Sequence, residues 1–345
     1  MFPRSLRLLS LAALAALASC GKPTPPAPSG AGSGGAPPET LRIAVVPKGT
    51  THDFWQSVHA GARRAQESMP GVEIVWTGPE REDDRAQQVA LVENLVGSRV
   101  DAIVLAPLDD KALVAPVRLA VEAGIPVVIF DSGLDAEPGR DYVSFVATDN
   151  AQGGRLAGAR MAELVKASGA PSPKVLLLRY QEGSASTRLR EEGFVEAITA
   201  AGGIELIDPG RYAGATRATA QEAAENLLAT YADITGVFCP NESSTFGMLL
   251  ALRARGLAGK ASFIGFDSSE GLVEALREGH ISALVVQNPM RMGELAVRAA
   301  VAHLRGEIVE QRIDTGVVLV SSDNIDTPEV RELIAPELDA PAGTP

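Results

Sequence analysis

AIVLAPLDDKALVAPVRLAVEAGIPVVIFD, residues 102–131, is the stretch that decides the fold of this chain. It contains two short apolar runs, at residues 102–105 and 126–130, and a helix-like segment that begins near Ala112 between them. Such a strand, helix and strand series predicts neighbouring parallel strands covered by helices. Asp131 follows the second run, which places a carboxylate at the carboxyl end of a strand, where ligands collect in open α/β sheets.

The same alternation recurs on both sides of this stretch. A first series of strands is predicted at residues 41–46, 72–76, 102–105, 126–130 and 142–146, and a second at residues 174–178, 204–207, 236–239 and 262–266. Helices are predicted to begin near Phe54, Arg85, Ala112, Ala151, Thr187, Arg217 and Ser244. About 300 residues exceed the usual size of one hydrophobic core. The predicted fold class is therefore α/β, with two doubly wound parallel-sheet lobes.

The N-terminus predicts export and lipid attachment. Arg4 and Arg7 precede an apolar run at residues 8–18, and the run ends in Leu17-Ala18-Ser19-Cys20. This resembles the signal peptide and lipobox of bacterial lipoproteins, which implies a signal peptide at residues 1–19 and acylation of Cys20. Several acyl chains would hold the protein on a membrane, outside the cytoplasm. A signal peptide with an incidental cysteine is the alternative. Residues 20–40, rich in Gly, Pro, Ser and Ala, are predicted to be a solvated tether.

Composition narrows the classes of partner and of chemistry. The formal net charge of −12 argues against nucleic acid and anionic lipid as partners, so we expect a small ligand. Once Cys20 is acylated, Cys239 is the remaining cysteine, and no intrachain disulfide can form. The chain has no Gly-rich phosphate loop, no Gly-x-Ser-x-Gly elbow and no cysteine pair at metal spacing. We therefore expect no catalytic residues, no metal and no cofactor.

Polar and aromatic side chains follow several of the predicted strands. In the first series these are Lys48, His52, Phe54 and Trp55 after the first strand and Asp131 and Ser132 after the fourth; in the second they are Tyr212, Asn241, Phe266 and Asp267. Carboxylate, amide and guanidinium groups can pair adjacent sugar hydroxyls, and an aromatic plane can cover the C–H face of the ring. Asp131 and Asp267 could instead serve a glycosidase, which is the enzyme alternative.

The sequence resembles the ribose-type periplasmic sugar-binding proteins of ABC transporters, whose domain is shared with the lac repressor family. The motifs that carry the resemblance follow one another in the family's order. The resemblance covers about residues 41–320. It is carried by Phe54-Trp55, Val100-Asp101-Ala102-Ile103, Ala106-Pro107, Gly124-Ile125-Pro126-Val127-Val128, Asp131, Thr148-Asp149-Asn150, Arg190, Gly193-Phe194, Asn241-Glu242, Gly265-Phe266-Asp267 and Gln287-Asn288-Pro289.

The resemblance implies a type I periplasmic binding protein with a three-stranded hinge. The first lobe would comprise residues 41–148 and 288–317, and the second lobe residues 149–287 and 318–335, followed by a tail at 336–345. The ligand would lie between the lobes, which close on it. Such proteins deliver a sugar to an ABC transporter permease and perform no covalent chemistry, and we expect a monomer. A receptor for a chemosensory or sensor-kinase system is the alternative role.

The resemblance also implies roles for individual residues. Asp131, Arg190, Asn241, Asp267 and Gln287 align with polar ligand contacts, and Phe54, Trp55, Tyr212 and Phe266 with stacking contacts. Other readings stay open, since Asn241, Asp267 and Gln287 could satisfy backbone groups or cap helices.

Two features depart from the ribose-type pattern. Lys48 and His52 stand in the first loop, and Ser132 follows Asp131 where an arginine is common. Lys48 and His52 would suit a ligand with a carboxylate or extra acceptors; alternatively, Lys48 pairs with Asp131 and replaces the missing arginine.

Overall fold

The computed structural model describes residues 40–335. Four predicted features lie outside the described residues. They are the signal peptide, the lipid attachment at Cys20, all but the last residue of the tether, and the tail. Within residues 40–335, none of the helices combines the length and the apolar character that crossing a bilayer requires.

Strands and helices alternate along nearly the whole described chain. The strands are β1 Leu41–Val46, β2 Val72–Trp76, β3 Ala102–Leu105, β4 Val127–Phe130, β5 Ser144–Ala147, β6 Lys174–Leu177, β7 Glu205–Ile207, β8 Gly236–Phe238, β9 Ser262–Phe266, β10 Ala283–Gln287, β11 Arg312–Asp314 and β12 Val317–Val320. The helices are α1 Asp53–Ser68, α2 Arg85–Leu95, α3 Val114–Glu122, α4 Asn150–Ala167, α5 Ala185–Ala201, α6 Arg217–Thr230, α7 Glu242–Ala254, α8 Glu270–Arg277, α9 Pro289–Leu304 and α10 Pro328–Ile334.

The strands form two sheets with equivalent topology. The first has the order β11-β5-β4-β3-β1-β2 and the second the order β12-β10-β9-β8-β6-β7. All neighbouring strands are parallel except β10 and β12, which are antiparallel. We call the first sheet with its helices the first lobe and the second sheet with its helices the second lobe. In both sheets the strand order reverses beside the first strand, and such switch points are where ligands bind in this fold class.

Apolar strands covered on both faces explain the two layers of helices. β3 and β4 are completely buried, as expected for parallel strands between helical layers. One face of the first sheet packs with α1 and α9, and the other with residues of α2 and α3. In the second lobe α4 and α5 cover one face, and α6, α7 and α8 the other.

The chain passes between the lobes three times, from β5 to α4, from β10 to α9, and from β11 to β12. Thr148 and Thr315 lie on two of these crossings and their hydroxyl oxygens are 3.3 Å apart. Asp149 and Asn288 each accept a backbone hydrogen bond as the N-cap of the helix that follows its crossing.

The predicted α/β class with two doubly wound lobes is confirmed. The predicted strand at 142–146 is displaced, because Tyr142 makes only an isolated bridge to Pro138 and the regular strand is Ser144–Ala147. No strand was predicted after residue 266, yet β10, β11 and β12 complete the two sheets. The exact residue boundaries of the two lobes stay a prediction.

Two glycines fix the contact between α4 and α5. A Cβ on Gly154 would lie 2.1 Å from the carbonyl oxygen of Arg190, and a Cβ on Gly193 would lie 2.2 Å from the carbonyl oxygen of Ala151. The backbones therefore approach more closely than any larger residue permits. This approach sets the position of α5, which carries Arg190 towards the cleft between the lobes.

Gly193→Ala should destabilise the protein, although alanine is intrinsically the better helix former by about 1 kcal/mol. Overpacking typically costs about 1–3 kcal/mol, and we expect the free energy of unfolding in urea to fall by that amount. Thr199→Ala, at an exposed position of the same helix, is the matched control and should change it by less than about 0.5 kcal/mol. A Gly193→Ala protein as stable as the control would contradict the close contact.

Candidate functional site

A cavity of about 30 Å³ lies where the carboxyl ends of the two sheets meet. Most of its lining side chains are polar or charged, and both lobes supply them. They are Lys48, His52, Phe54, Trp55, Glu82 and Asp131 from the first lobe, and Tyr180, Ser186, Thr187, Arg190, Asn241, Glu242, Asp267 and Gln287 from the second. Nine of the twelve predicted ligand contacts are in this set; Ser132, Tyr212 and Phe266 are not.

Asp131 and Asp267 occupy equivalent positions in the two lobes. Each directly follows the fourth strand of its lobe, and each has a left-handed backbone, with φ of 59° and 67°. Aspartate tolerates this conformation better than most residues, but it still costs energy, and such residues cluster at functional sites. Their N–H groups donate to the carbonyls of Val146 and Val285 on the adjacent strands, which hold the turns in place.

Lys48 neutralises Asp131. Its Nζ lies 2.8 Å from Asp131 Oδ2 and donates to Ser186 Oγ at 3.0 Å across the cleft. Both charged side chains are almost completely buried, so the pair removes the cost of an isolated buried charge. The geometry thus matches the reading in which Lys48 compensates for the missing arginine. Ser132 does not line the cavity; its Oγ accepts the backbone N–H of Ser186 at 3.1 Å and ties α5 to the first lobe.

Arg190 is held by four neighbours. Its Nε donates to Asn150 Oδ1 at 2.7 Å, its Nη1 donates to the carbonyl of Pro240 at 2.9 Å, and Nη1 lies 3.8 Å from Asp267 Oδ2. Its guanidinium stacks 3.9 Å from the centre of the Phe266 ring. Phe266, which was predicted to stack on the ligand, does not line the cavity: it is fully buried and supports Arg190.

Asp267 is surrounded by donors. Gln287 Nε2 donates to its Oδ1 at 2.7 Å, and the backbone N–H of Glu242 donates to its Oδ2 at 3.2 Å. Burial raises the pKa of Asp267 to about 6, against the opposing effects of Arg190 and Gln287. Asn241 caps α7 by accepting the N–H of Ser244, as the alternative reading proposed, and also lines the cavity.

Glu82 is the functional side chain that sequence reasoning missed most clearly. Its Oε1 accepts from Trp55 Nε1 at 2.6 Å and lies 2.8 Å from His52 Nδ1, and its Oε2 accepts from the Tyr180 hydroxyl at 2.7 Å. Tyr180 belongs to the second lobe, so this carboxylate joins the lobes. A fully buried carboxylate with three donors is well compensated.

The Glu82 and His52 charges depend on each other. Burial raises the pKa of Glu82, but His52, Lys48 and Tyr180 lower it more strongly, to about 2. Burial also lowers the pKa of His52, but the hydrogen bond and the charge of Glu82 raise it above its ordinary value. Burial and Glu82 together raise the pKa of Tyr180, which keeps its hydroxyl protonated as a donor.

The aromatic residues divide into structural and accessible ones. Trp55 is buried edge-on against Phe54 and Phe130 and uses its N–H on Glu82, whereas Phe54 is half-buried and borders the cavity. Tyr212, which was predicted to contact the ligand, does not line the cavity. Tyr212 is 43% exposed and makes only an isolated backbone bridge with Arg179. The tyrosine that does reach the cavity is Tyr180, just beyond β6.

Five cavity residues were not predicted: Glu82, Tyr180, Ser186, Thr187 and Glu242. A signal existed for Glu82 and Tyr180, because both follow strands whose carboxyl ends belong to the same sheet edges as Lys48 and Asn241. The acidic loop at residues 78–84 reads as a solvated charge run, and only the fold shows that Glu82 turns inward.

Comparison with known proteins agrees with this architecture. The sequence profile of the periplasmic binding protein domain matches residues 43–308. The chain belongs to this family. Its relatives include ribose-type sugar-binding proteins, so the resemblance found from the sequence is confirmed.

Individual relatives cover almost the same region. A D-ribose/D-allose-binding protein of Pseudomonas aeruginosa is 31% identical over 286 residues, 81% of this chain and 87% of its own length. A solved ABC transporter solute-binding protein from Agrobacterium vitis with bound D-fucose is 40% identical, with a TM-score of 0.81 over 85% of this chain and 99% of its own. One from Agrobacterium radiobacter with D-arabinose is 34% identical, with a TM-score of 0.81 over 86% and 99%.

The Glu82 and His52 pair predicts a pH window of maximal contribution to stability. Because folding lowers the pKa of Glu82, its ionised form stabilises the folded state above pH 4.5. This stabilisation is lost as the pH falls towards about 2. Because folding raises the pKa of His52, its protonated form stabilises the folded state below pH 6.5. This stabilisation is lost as the pH rises through the pKa of the folded state. Glu82→Gln should therefore lower the free energy of unfolding most between about pH 4.5 and 6.5, by at least about 1 kcal/mol.

Urea unfolding from pH 3 to 9 measures this difference. Glu80→Gln, an exposed change in the same loop, is the control and should give a small difference at every pH. A Glu82→Gln effect that is constant from pH 4.5 to 9 would show that the pair with His52 does not form.

Proposed function

We propose that this protein captures a neutral monosaccharide or related polyol between its two lobes and delivers it to the permease of an ABC importer. One observation carries the proposal. Asp131, Arg190, Asp267 and Gln287 converge on one cavity at the carboxyl ends of both sheets, with the half-buried Phe54 beside them. Buried carboxylates, a guanidinium and an amide can pair several hydroxyls at once, and an aromatic face can cover the ring.

The charge balance of the cavity favours a neutral ligand. Lys48 pairs with Asp131, His52 with Glu82, Arg190 with Asp267, and Arg217 with Glu242. A sugar acid would bring a further charge into a site whose cations already have anionic partners, and a buried unpaired charge is costly. The alternative in which Lys48 and His52 recognise a carboxylate is therefore the weaker one.

The relatives support the class of ligand. Similar proteins are named for D-ribose and D-allose or hold D-fucose, D-arabinose, D-tagatose or myo-inositol, which are all neutral sugars or polyols. We assign the same class to this chain, without choosing among its members.

Contacts across the cleft support capture by closure. Tyr180 donates to Glu82, Lys48 donates to Ser186, and the N–H of Asp110 donates to the carbonyl of Gly183 at 3.0 Å. All three bonds join the first lobe to the second, so separating the lobes breaks them. A ligand that binds both lobes would shift the equilibrium towards a closed arrangement of this kind, in which the lining side chains move apart to admit it, because a cavity of about 30 Å³ is smaller than a sugar ring.

Binding of a panel of sugars, measured by titration calorimetry, tests the ligand class. We expect at least one of D-ribose, D-allose, D-fucose and D-arabinose to bind, and D-galacturonate and D-gluconate to bind at least about tenfold more weakly.

Lys48→Met should weaken binding of the neutral sugar at least about tenfold because it leaves Asp131 buried without a partner. Asp131→Asn in addition should restore part of the loss if both residues act as a pair.

Lys111→Met, at an exposed lysine, is the control and should leave the affinity unchanged. Tighter binding of a sugar acid than of every neutral sugar would contradict the proposed ligand class. Chemical conversion of the bound sugar, detected by mass spectrometry, would contradict the binding role.

The lipid anchor is a further part of the proposal, and it rests on the sequence Leu17-Ala18-Ser19-Cys20. Cys20→Ser should move the protein from the membrane pellet to the soluble fraction and leave its sugar affinity unchanged, because the residues that line the cavity lie between 48 and 287. Ser33→Ala, in the same tether, should remain in the pellet. A Cys20→Ser protein that still sediments with the membrane would contradict acylation at this residue.

A further inference from the structure

A groove of about 680 Å³ adjoins the sugar cavity and shares Phe54, Asp267 and Gln287 with it. One wall of the groove comes from the first turns of α1, including Ser57, and the other from the start of α8 and the crossing into α9. Both lobes therefore contribute to it. The three shared side chains are the boundary between cavity and groove.

Two buried polar atoms of the groove lining have no hydrogen-bond partner among residues 40–335: Ser269 Oγ and Gln287 Oε1. Ser269 is 7% exposed and Gln287 is 1% exposed. A buried polar atom without a partner is costly, and proteins satisfy nearly all such atoms. Ser269 lines the groove but not the cavity, so its hydroxyl, after a rotation of the side chain towards the open space, can pair with a group in the groove.

The walls of the groove match a second sugar unit or a similar aglycone. Val273, Val286 and Pro289 give it an apolar side, and Asp53, Glu270 and Glu274 give it an acidic, polar side. A sugar ring has the same two faces, one of C–H groups and one of hydroxyl donors. Phe54 is half-buried at the boundary, where an aromatic face can contact the connecting part of the ligand.

We propose that the protein also binds glycosides or disaccharides, with the first ring in the cavity and the second unit in the groove. This rests on the proposed function, because the cavity provides the contacts to the first ring. The cation Arg277 also lines the groove but already pairs with Asp326, so the carboxylates of Asp53, Glu270 and Glu274 disfavour an anionic second unit.

Titration calorimetry with D-fucose, D-ribose and D-galactose and with the methyl and phenyl glycosides of each, in both anomers, tests the inference. We expect at least one glycoside to bind about tenfold more tightly than its parent sugar. Ser269→Ala and Ser57→Trp should abolish that gain and leave the affinity for the parent sugar unchanged, since neither residue lines the cavity. Ser269→Ala removes a hydroxyl that has no partner, so the variant should fold normally. Glu67→Trp, at an exposed position of α1 outside the groove, is the control for the tryptophan and should keep the gain.

The outcomes separate this inference from the proposed function. If a parent sugar binds but none of its glycosides binds more tightly, the groove is not a ligand site and the inference is overturned, while the sugar-binding role stands. The same conclusion follows if the gain appears only after deletion of residues 336–345, because the tail would then occupy the groove in the full chain. If neither sugars nor glycosides bind, the proposed function itself fails.

Discussion

The burial of aspartates at the facing edges of two parallel sheets is the constraint on which the site depends. Asp131 and Asp267 both occupy left-handed turns directly after the fourth strand of a lobe, so the fold itself directs a carboxylate inward on each side. A buried carboxylate needs a charged or hydrogen-bonding partner. Lys48 meets this need for Asp131, and Arg190 with Gln287 meets it for Asp267. The requirement for these partners explains why the ends of β1 and β10 and the helix α5 direct charged or amide groups into the cleft.

A further buried carboxylate, that of Glu82, comes from a less regular segment and joins the two lobes. Glu82 lies in the loop between β2 and α2, yet it accepts hydrogen bonds from His52 and Trp55 of its own lobe and from Tyr180 of the other. Because its partners within the first lobe already hold it, the hydrogen bond from Tyr180 forms with a preoriented group. Little side-chain entropy is then lost when the lobes meet. The same carboxylate therefore organises one lobe and recognises the other.

Much of the fold could be predicted from the sequence because parallel strands buried on both faces give continuous apolar runs, as at Ala102–Leu105 and Ser262–Phe266. The strands at Arg312–Asp314 and Val317–Val320 gave weaker signals because they are short edge strands with partly exposed residues. Side-chain direction was harder still. Phe266 and Tyr212 both lie at or near strand ends, but one packs beneath Arg190 and the other faces solvent. For Phe266 the direction depends on tertiary packing, because its ring lies under Arg190 of α5 and against Gly153 of α4, and these contacts have no local signature in the sequence.

Most hydrogen-bond donors of the cavity already have partners within the protein, and this affects the kind of ligand that the cavity can bind. Tyr180 and Trp55 direct their hydrogens to Glu82, and Lys48 donates to Ser186 beside its pair with Asp131. Each ionised carboxylate has about four lone-pair sites. Asp267 accepts from Gln287 and from the N–H of Glu242, which leaves it about two sites, and the Oε1 of Gln287 adds another acceptor. Asp267 and Gln287 therefore keep acceptor sites that a ligand can fill. A ligand that offers several hydroxyl hydrogens satisfies those acceptors, whereas an anion offers acceptors alone, so the hydrogen-bonding balance favours a polyol independently of the charge count.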